Sequence, residues 1–129
     1  MSGRVYIKDR SWMGRLRSFK DAFRGLAVLV ATQPNARVHA ALTIAALALG
    51  WWLALAKTEW LFLVMAIGLV WVAEGFNTAI EFLVDMVSPE MDPRAGRVKD
   101  VAAGAVLAAA VTAIAVGALI FFPKLARMW

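Results

Sequence analysis

The chain has 129 residues, is 62% hydrophobic and carries a formal net charge of +5. A domain folded in water is about 45–50% apolar, so composition excludes a soluble fold and leaves room for one membrane-embedded domain over residues 1–129. There is no cysteine, which removes disulfide and thiolate chemistry. The basic residues flank apolar runs, where they set topology and meet anionic headgroups rather than nucleic acid.

Residues 1–10, MSGRVYIKDR, are too polar for a signal peptide and show no periodicity, so they read as a loose segment. From Ser11 the pattern changes. Trp12, Leu16, Phe19, Phe23, Leu26 and Val30 recur at intervals of 4, 3, 4, 3 and 4, with Arg15, Arg17, Lys20 and Arg24 on the remaining turns. This predicts a basic amphipathic helix over 11–32, capped by Ser11. It lies in the headgroup region or packs on another protein helix, two arrangements that do not exclude each other.

Pro34 disfavours helical geometry at Gln33 and suits the first turn of a new helix. A first membrane span is expected over 38–56, about 28 Å long. Arg37 and His39 precede or open it, and His39 reads as an interfacial polar residue. Trp51, Trp52 and Trp60 form an aromatic belt at the far end. Lys57-Thr58-Glu59 reads as a tight hairpin turn.

A second span is expected over 60–87. Within it Glu74, Asn77, Glu81 and Asp85 fall at spacings of 3, 4 and 4, on one helix face with Thr78 beside them. Glu81 and Asp85 could sit just past the membrane. Glu74 is about 21 Å from Trp60 along the axis, still inside a core roughly 30 Å thick. An ionisable group at that depth costs roughly 2.5 kcal/mol or more, which makes it a candidate functional residue.

A polar connector over 88–100 follows, and Asp100 serves as N-cap of a third span over 101–122 or as a ligand. Pro123 is expected to end that span. Gly104, Ala108 and Thr112 recur at intervals of four, as do Ala105, Ala109, Ala113 and Gly117. Such rows allow close backbone approach, so this helix is expected at the centre of an assembly. Eleven Lys/Arg lie before the first span or in the connector, against three (Lys57, Lys124, Arg127) on the other side. That bias places the N-terminus and the connector in the cytoplasm.

Glu74 and Glu81 stand about 10 Å apart along the axis, too far to share one small ion, so they take separate roles. Glu74, the deeper, suits a general base. Glu81 suits Mg²⁺, which prefers one or two carboxylates plus phosphate oxygens and waters. Asn77 could orient either group and Lys99 could meet phosphate charge. No Walker A sequence or kinase glycine loop is present. A second reading is a small oligomeric proton-coupled transporter using Glu74, and a third is a catalytically silent protein of the same fold. Lipid-dependent ATP consumption separates the three.

Glu74-Gly75-Phe76-Asn77-Thr78-Ala79-Ile80-Glu81 with Asp85, followed by Lys99-Asp100-Val101-Ala102-Ala103-Gly104-Ala105-Val106-Leu107, closely resembles the prokaryotic diacylglycerol kinase family, which includes undecaprenol kinases. The resemblance covers roughly Ser18 to Lys124. Lys57-Thr58-Glu59-Trp60, Val87-Ser88-Pro89-Glu90 and Asn35-x-Arg37-x-His39 look more like the undecaprenol kinase branch. The resemblance implies an all-α homotrimer with three spans and a surface helix per chain, in the bacterial cytoplasmic (inner) membrane. It implies transfer of the ATP γ-phosphate, with Mg²⁺, to the hydroxyl of a diacylglycerol or undecaprenol. It makes Glu74 the general base, Glu81 a metal and nucleotide ligand, and Asn77 and Ala103 lipid-contacting residues. Lys99, Asp100, Glu90 and Asp92 fall where the family contacts ATP. Two positions depart from the pattern: Gln33 stands where a second metal-binding glutamate is usual, and Asp21 where a tyrosine near the nucleotide is common. Gln33 still offers a carbonyl oxygen, without charge.

Overall fold

A computed structural model describes residues 11–129, so the expectation for residues 1–10 lies outside the described part. The described chain is all helical: α1 (Trp12–Thr32), α2 (Pro34–Trp52), α3 (Lys57–Val87) and α4 (Pro93–Ala126). α3 and α4 form the most extensive helix pair. α2 packs more lightly on α3, and α1 lies against α2 and the edge of α3.

The first helix starts where its sequence says it should. Ser11 Oγ accepts the backbone N–H of Gly14 at 3.1 Å, satisfying one of the free donors of the first turn. Of α1 only Gly14 and Leu29 are buried, so the stripe Trp12, Leu16, Phe19, Phe23 and Leu26 is uncovered by the rest of the chain. Gln33 leaves helical geometry (φ −105°, ψ 115°) and Pro34 takes the first position of α2.

Four boundaries differ from expectation. α2 ends at Trp52, not residue 56, because Ala54 adopts φ 48° and turns the chain. Lys57-Thr58-Glu59 is the first turn of α3 and not a hairpin tip. Glu59 Oε2 accepts the Ala56 N–H at 2.7 Å, the glutamate half of a capping box. Asp100 is not the N-cap of the last helix. α4 opens eight residues earlier, where Asp92 Oδ1 accepts the Arg94 N–H at 2.8 Å and Pro93 occupies the first turn. Nor does Pro123 end α4, which runs on to Ala126.

These shifts lengthen the two central helices to 31 and 34 residues, about 47 and 51 Å. Both are long and apolar enough to cross a membrane. The first of the three expected spans falls on α2, which is 19 residues and spends its opening turn on Asn35, Arg37 and the approach to His39.

Only nine hydrophobic residues are buried among the described ones, while large side chains such as Leu61, Phe62, Met65, Leu107 and Leu119 are exposed along α3 and α4. In water such a surface would aggregate, whereas in hydrocarbon it is at home. The buried cluster Leu55, Leu63 and Ile120, backed by Trp60 and Phe121, closes the end away from the connector. Gly50 is required there: a Cβ would lie 3.0 Å from both Leu55 Cδ1 and the Trp60 ring. Lys124 Nζ meets Glu59 at 3.0 Å and pins the same end.

Candidate functional site

The buried residues of α3 are Leu63, Ala66, Val70, Glu74, Asn77 and Thr78. They form one stripe at spacings of three and four, so a single face packs inward along the helix. Up to Val70 that face is apolar. From Glu74 it turns polar, and Glu74, Asn77 and Thr78 are the buried polar residues among those described.

Glu74 is 1% exposed. Its carboxylate faces His39 of α2, with Nε2 to Oε2 at 3.7 Å, an ion-pair distance longer than a hydrogen bond. The register that brings them together is fixed one turn along, where Trp71 Nε1 donates to Thr43 Oγ1 at 3.0 Å. His39 and Thr43 share a face of α2, and Trp71 and Glu74 share a face of α3. The antiparallel pair therefore places His39 against Glu74 once Thr43 meets Trp71.

Both carboxylate oxygens of Glu74, His39 Nε2, Asn77 Oδ1 and Thr78 Oγ1 are buried with no hydrogen-bond partner in the chain. Each such atom costs about 1–3 kcal/mol. Buried polar groups are normally satisfied, so these five atoms, on His39 of α2 and on Glu74, Asn77 and Thr78 of α3, make this place the candidate site. Asn77 spends its amide on Glu81, Nδ2 donating to Oε1 at 3.1 Å.

Toward the connector, Lys99 of α4 donates to Asp85 of α3 and ties the two helices. Asp85, Glu90, Asp92 and Lys99 rim an open hollow of about 530 Å³ floored by Ser88 and Gly96. Arg94 grips the Asp92 carboxylate at 2.9 Å. That side-chain bond, with the backbone bond from the same residue, holds the carboxyl below its ordinary range. On the other side of Glu74, a groove of about 230 Å³ runs between α2, α3 and α4. His39 stands at its edge, and Leu42, Ala66, Val70, Ala113 and Ile114 form its walls.

The remaining expected residues are not gathered into this cluster by any contact. Asp21 is exposed on α1 and pairs with Arg24 at 3.6 Å. Gln33 is half-buried in the break between α1 and α2, its side chain capping neither helix. Asp100 and Ala103 are exposed on α4. Among the described residues no three His, Asp or Glu side chains form a metal cage. A site in which phosphate supplies most ligands needs only one or two carboxylates, and Glu81 fits that requirement, since Asn77 engages only its Oε1. His39 is the residue that sequence reasoning missed. Its partner lies 35 positions away, and only the pairing of α2 with α3 reveals the contact.

The prokaryotic diacylglycerol kinase model matches residues 20–121, most of the chain. The chain belongs to the prokaryotic diacylglycerol kinase family. It is 40% identical over 109 residues to an undecaprenol kinase of Bacillus subtilis, covering 84% of this chain and 89% of that one. It is 37% identical over 123 residues to a diacylglycerol kinase of Synechocystis sp., covering 92% of this chain and 70% of that one. The family members are lipid kinases, and the helices α3 and α4 suit a membrane location.

Proposed function

We propose that the protein phosphorylates the hydroxyl of a membrane lipid, an isoprenoid alcohol such as undecaprenol or a diacylglycerol, at the expense of ATP. The observation that carries this reading is Glu74, a carboxylate buried on an apolar helix long enough to cross a membrane, with both oxygens unpartnered. One turn along α3, past Val70 and with His39 at its edge, lies an apolar groove suited to a lipid chain. A carboxylate so placed reaches a headgroup hydroxyl that a base in the cytoplasm would not.

Glu74 takes the proton of the lipid hydroxyl as its oxygen attacks the γ-phosphorus and the bond to ADP breaks. Asn77 and Thr78, on the same face, orient that hydroxyl, with Ala103 near the lipid. Glu81, held by Asn77, together with Gln33 would hold Mg²⁺, which when bound neutralises charge on the phosphates. The hollow lined by Glu90, Asp92 and Lys99 takes the nucleotide, Lys99 meets phosphate charge, and Asp100 and Asp21, outside that lining, are further nucleotide contacts expected from the family. Positioning and electrostatics supply most of the catalysis in such a transfer.

The working form is a homotrimer in the bacterial inner membrane, with α2 as the third span and α1 lying in the cytoplasmic headgroup layer. The uncovered apolar stripe of α1 and the open row Gly104, Ala108 and Thr112 on α4 support this arrangement. The basic bias supports a cytoplasmic N-terminus. The test is ATP consumption by the purified protein in micelles, with undecaprenol, with diacylglycerol and without lipid. Turnover that requires one of the lipids is expected. ATP turnover indifferent to both, or none with either, would contradict the proposal.

A further inference from the structure

We propose that His39 is the proton exit of Glu74: it receives from the glutamate, through Nε2, the proton that each turnover leaves there, and passes it to water. This rests on the lipid kinase reading and adds a step to it. Phosphorylation of an alcohol releases one proton, and the general base holds it when the phosphate has moved. Glu74 must lose that proton before the next cycle, yet its side chain is only 1% exposed.

His39 supplies a path. Its Nε2, itself buried, stands 3.7 Å from Glu74 Oε2, while the side chain as a whole is 14% exposed, so one edge of the ring meets the carboxylate and another reaches the surface of the chain. The surroundings leave this pair to each other. On α2, Arg37 is turned away, its guanidinium donating to the carbonyls of Val30 and Ala31 at the end of α1. On α1, Asp21 and Arg24 are exposed and paired together. On α3, Glu81 is engaged by Asn77. The α4 residues lining the groove beside His39, Ala110, Ala113, Ile114 and Gly117, carry no charge.

The transfer balances without another reactant. The O–H bond on Glu74 breaks as an N–H bond forms at Nε2, and the imidazolium then releases the proton on Nδ1 to water, returning a neutral ring and an ionised glutamate. Imidazole is the side chain suited to this because it accepts at one nitrogen and donates at the other. His39 acts through Glu74 and not on the lipid. It is a positioning and relay residue, and its loss must slow turnover without weakening substrate binding.

The experiment uses the full-length protein in micelles with saturating lipid and Mg²⁺–ATP. For His39→Ala, kcat is expected to fall on the order of 10²-fold, with the KM values for ATP and lipid unchanged. Added imidazole is expected to restore much of the rate, in proportion to its unprotonated fraction, while leaving the wild type unaffected. His39→Asn, which keeps a polar side chain and fills the space, is expected to be slow and not rescued. Glu74→Gln serves as the control, inactive with or without imidazole. A His39→Ala protein that turns over like wild type, or one that binds ATP normally but is slow and deaf to imidazole, overturns the relay. An active Glu74→Gln protein would instead overturn the base assignment on which the relay rests.

Discussion

Asn77 and Glu81 lie one turn apart on α3, and the amide of Asn77 donates to Glu81 Oε1 at 3.1 Å. The bond aims one carboxylate and leaves its second oxygen available, while Glu74, one turn deeper, receives no such bond. Two glutamates on one face are thereby given different surroundings, as the proposed division of labour between base and metal ligand requires.

Glu81→Gln removes charge from the proposed metal position and keeps the shape. The Mg²⁺ concentration for half-maximal rate is expected to rise, with Asn77→Leu shifting it the same way by loosening the carboxylate. Gln33→Glu restores the charge usual in the family and is expected to lower that concentration. Rate measured against Mg²⁺ for the three variants checks this. An unmoved curve for Glu81→Gln would remove Glu81 from the metal.

The two small-residue rows of α4 separate in the structure. Ala109 is buried within its own chain, whereas a Cβ on Gly104 would meet nothing within 4 Å. Gly104→Leu is therefore expected to reduce the oligomer while the single chain keeps its helix content. Ala109→Leu overpacks the chain itself and costs about 1–3 kcal/mol. Oligomer mass in detergent and thermal unfolding distinguish the two outcomes.

Gly50→Leu drives a side chain into Leu55 and the Trp60 ring, each 3.0 Å from the position of a Cβ. A destabilisation of about 1–3 kcal/mol is expected, with residual activity per folded molecule near wild type because the clash lies at the end away from Glu74. Thermal unfolding paired with lipid-dependent turnover checks it.

Asp92 caps α4 with a carboxyl held below its ordinary range by Arg94. A depressed folded value means the stabilisation is present at neutral pH and is lost as pH falls through that value, below the usual carboxylate range. Asp92→Asn keeps an N-cap but cannot titrate. Wild type is expected to lose its margin over this variant on acidification, and parallel unfolding curves for the two from pH 7 to strong acid would contradict the assignment.

Much of this layout was legible in the sequence, for physical reasons. The Ser11 cap and the stripe of α1 follow from periodicity, and the Gln33-Pro34 break follows from proline sterics. The polar face of α3 follows from spacing alone. The early start of α4 at Asp92-Pro93 was also written there, as a cap followed by a first-turn proline, but the charged residues from Arg94 to Lys99 disguised it as a connector. Pro123 misleads because it falls close to the end of α4, where the missing N–H costs one ladder bond and the helix still runs on to Ala126. Lys57-Thr58-Glu59 looked like a turn because the side chain that caps the helix, Glu59, lies inside it. His39 could not be found from local pattern, since its partnership with Glu74 exists only once Thr43 and Trp71 set the register between two helices.

The central claim is that Glu74 is the base that receives the lipid hydroxyl proton, and the most direct test is the turnover of Glu74→Gln with ATP binding measured on the same preparation. The variant keeps size and hydrogen-bonding capacity but cannot accept the proton. A fall in kcat of about two to four orders of magnitude, with ATP binding retained, is the predicted result. Near-normal turnover would contradict the account.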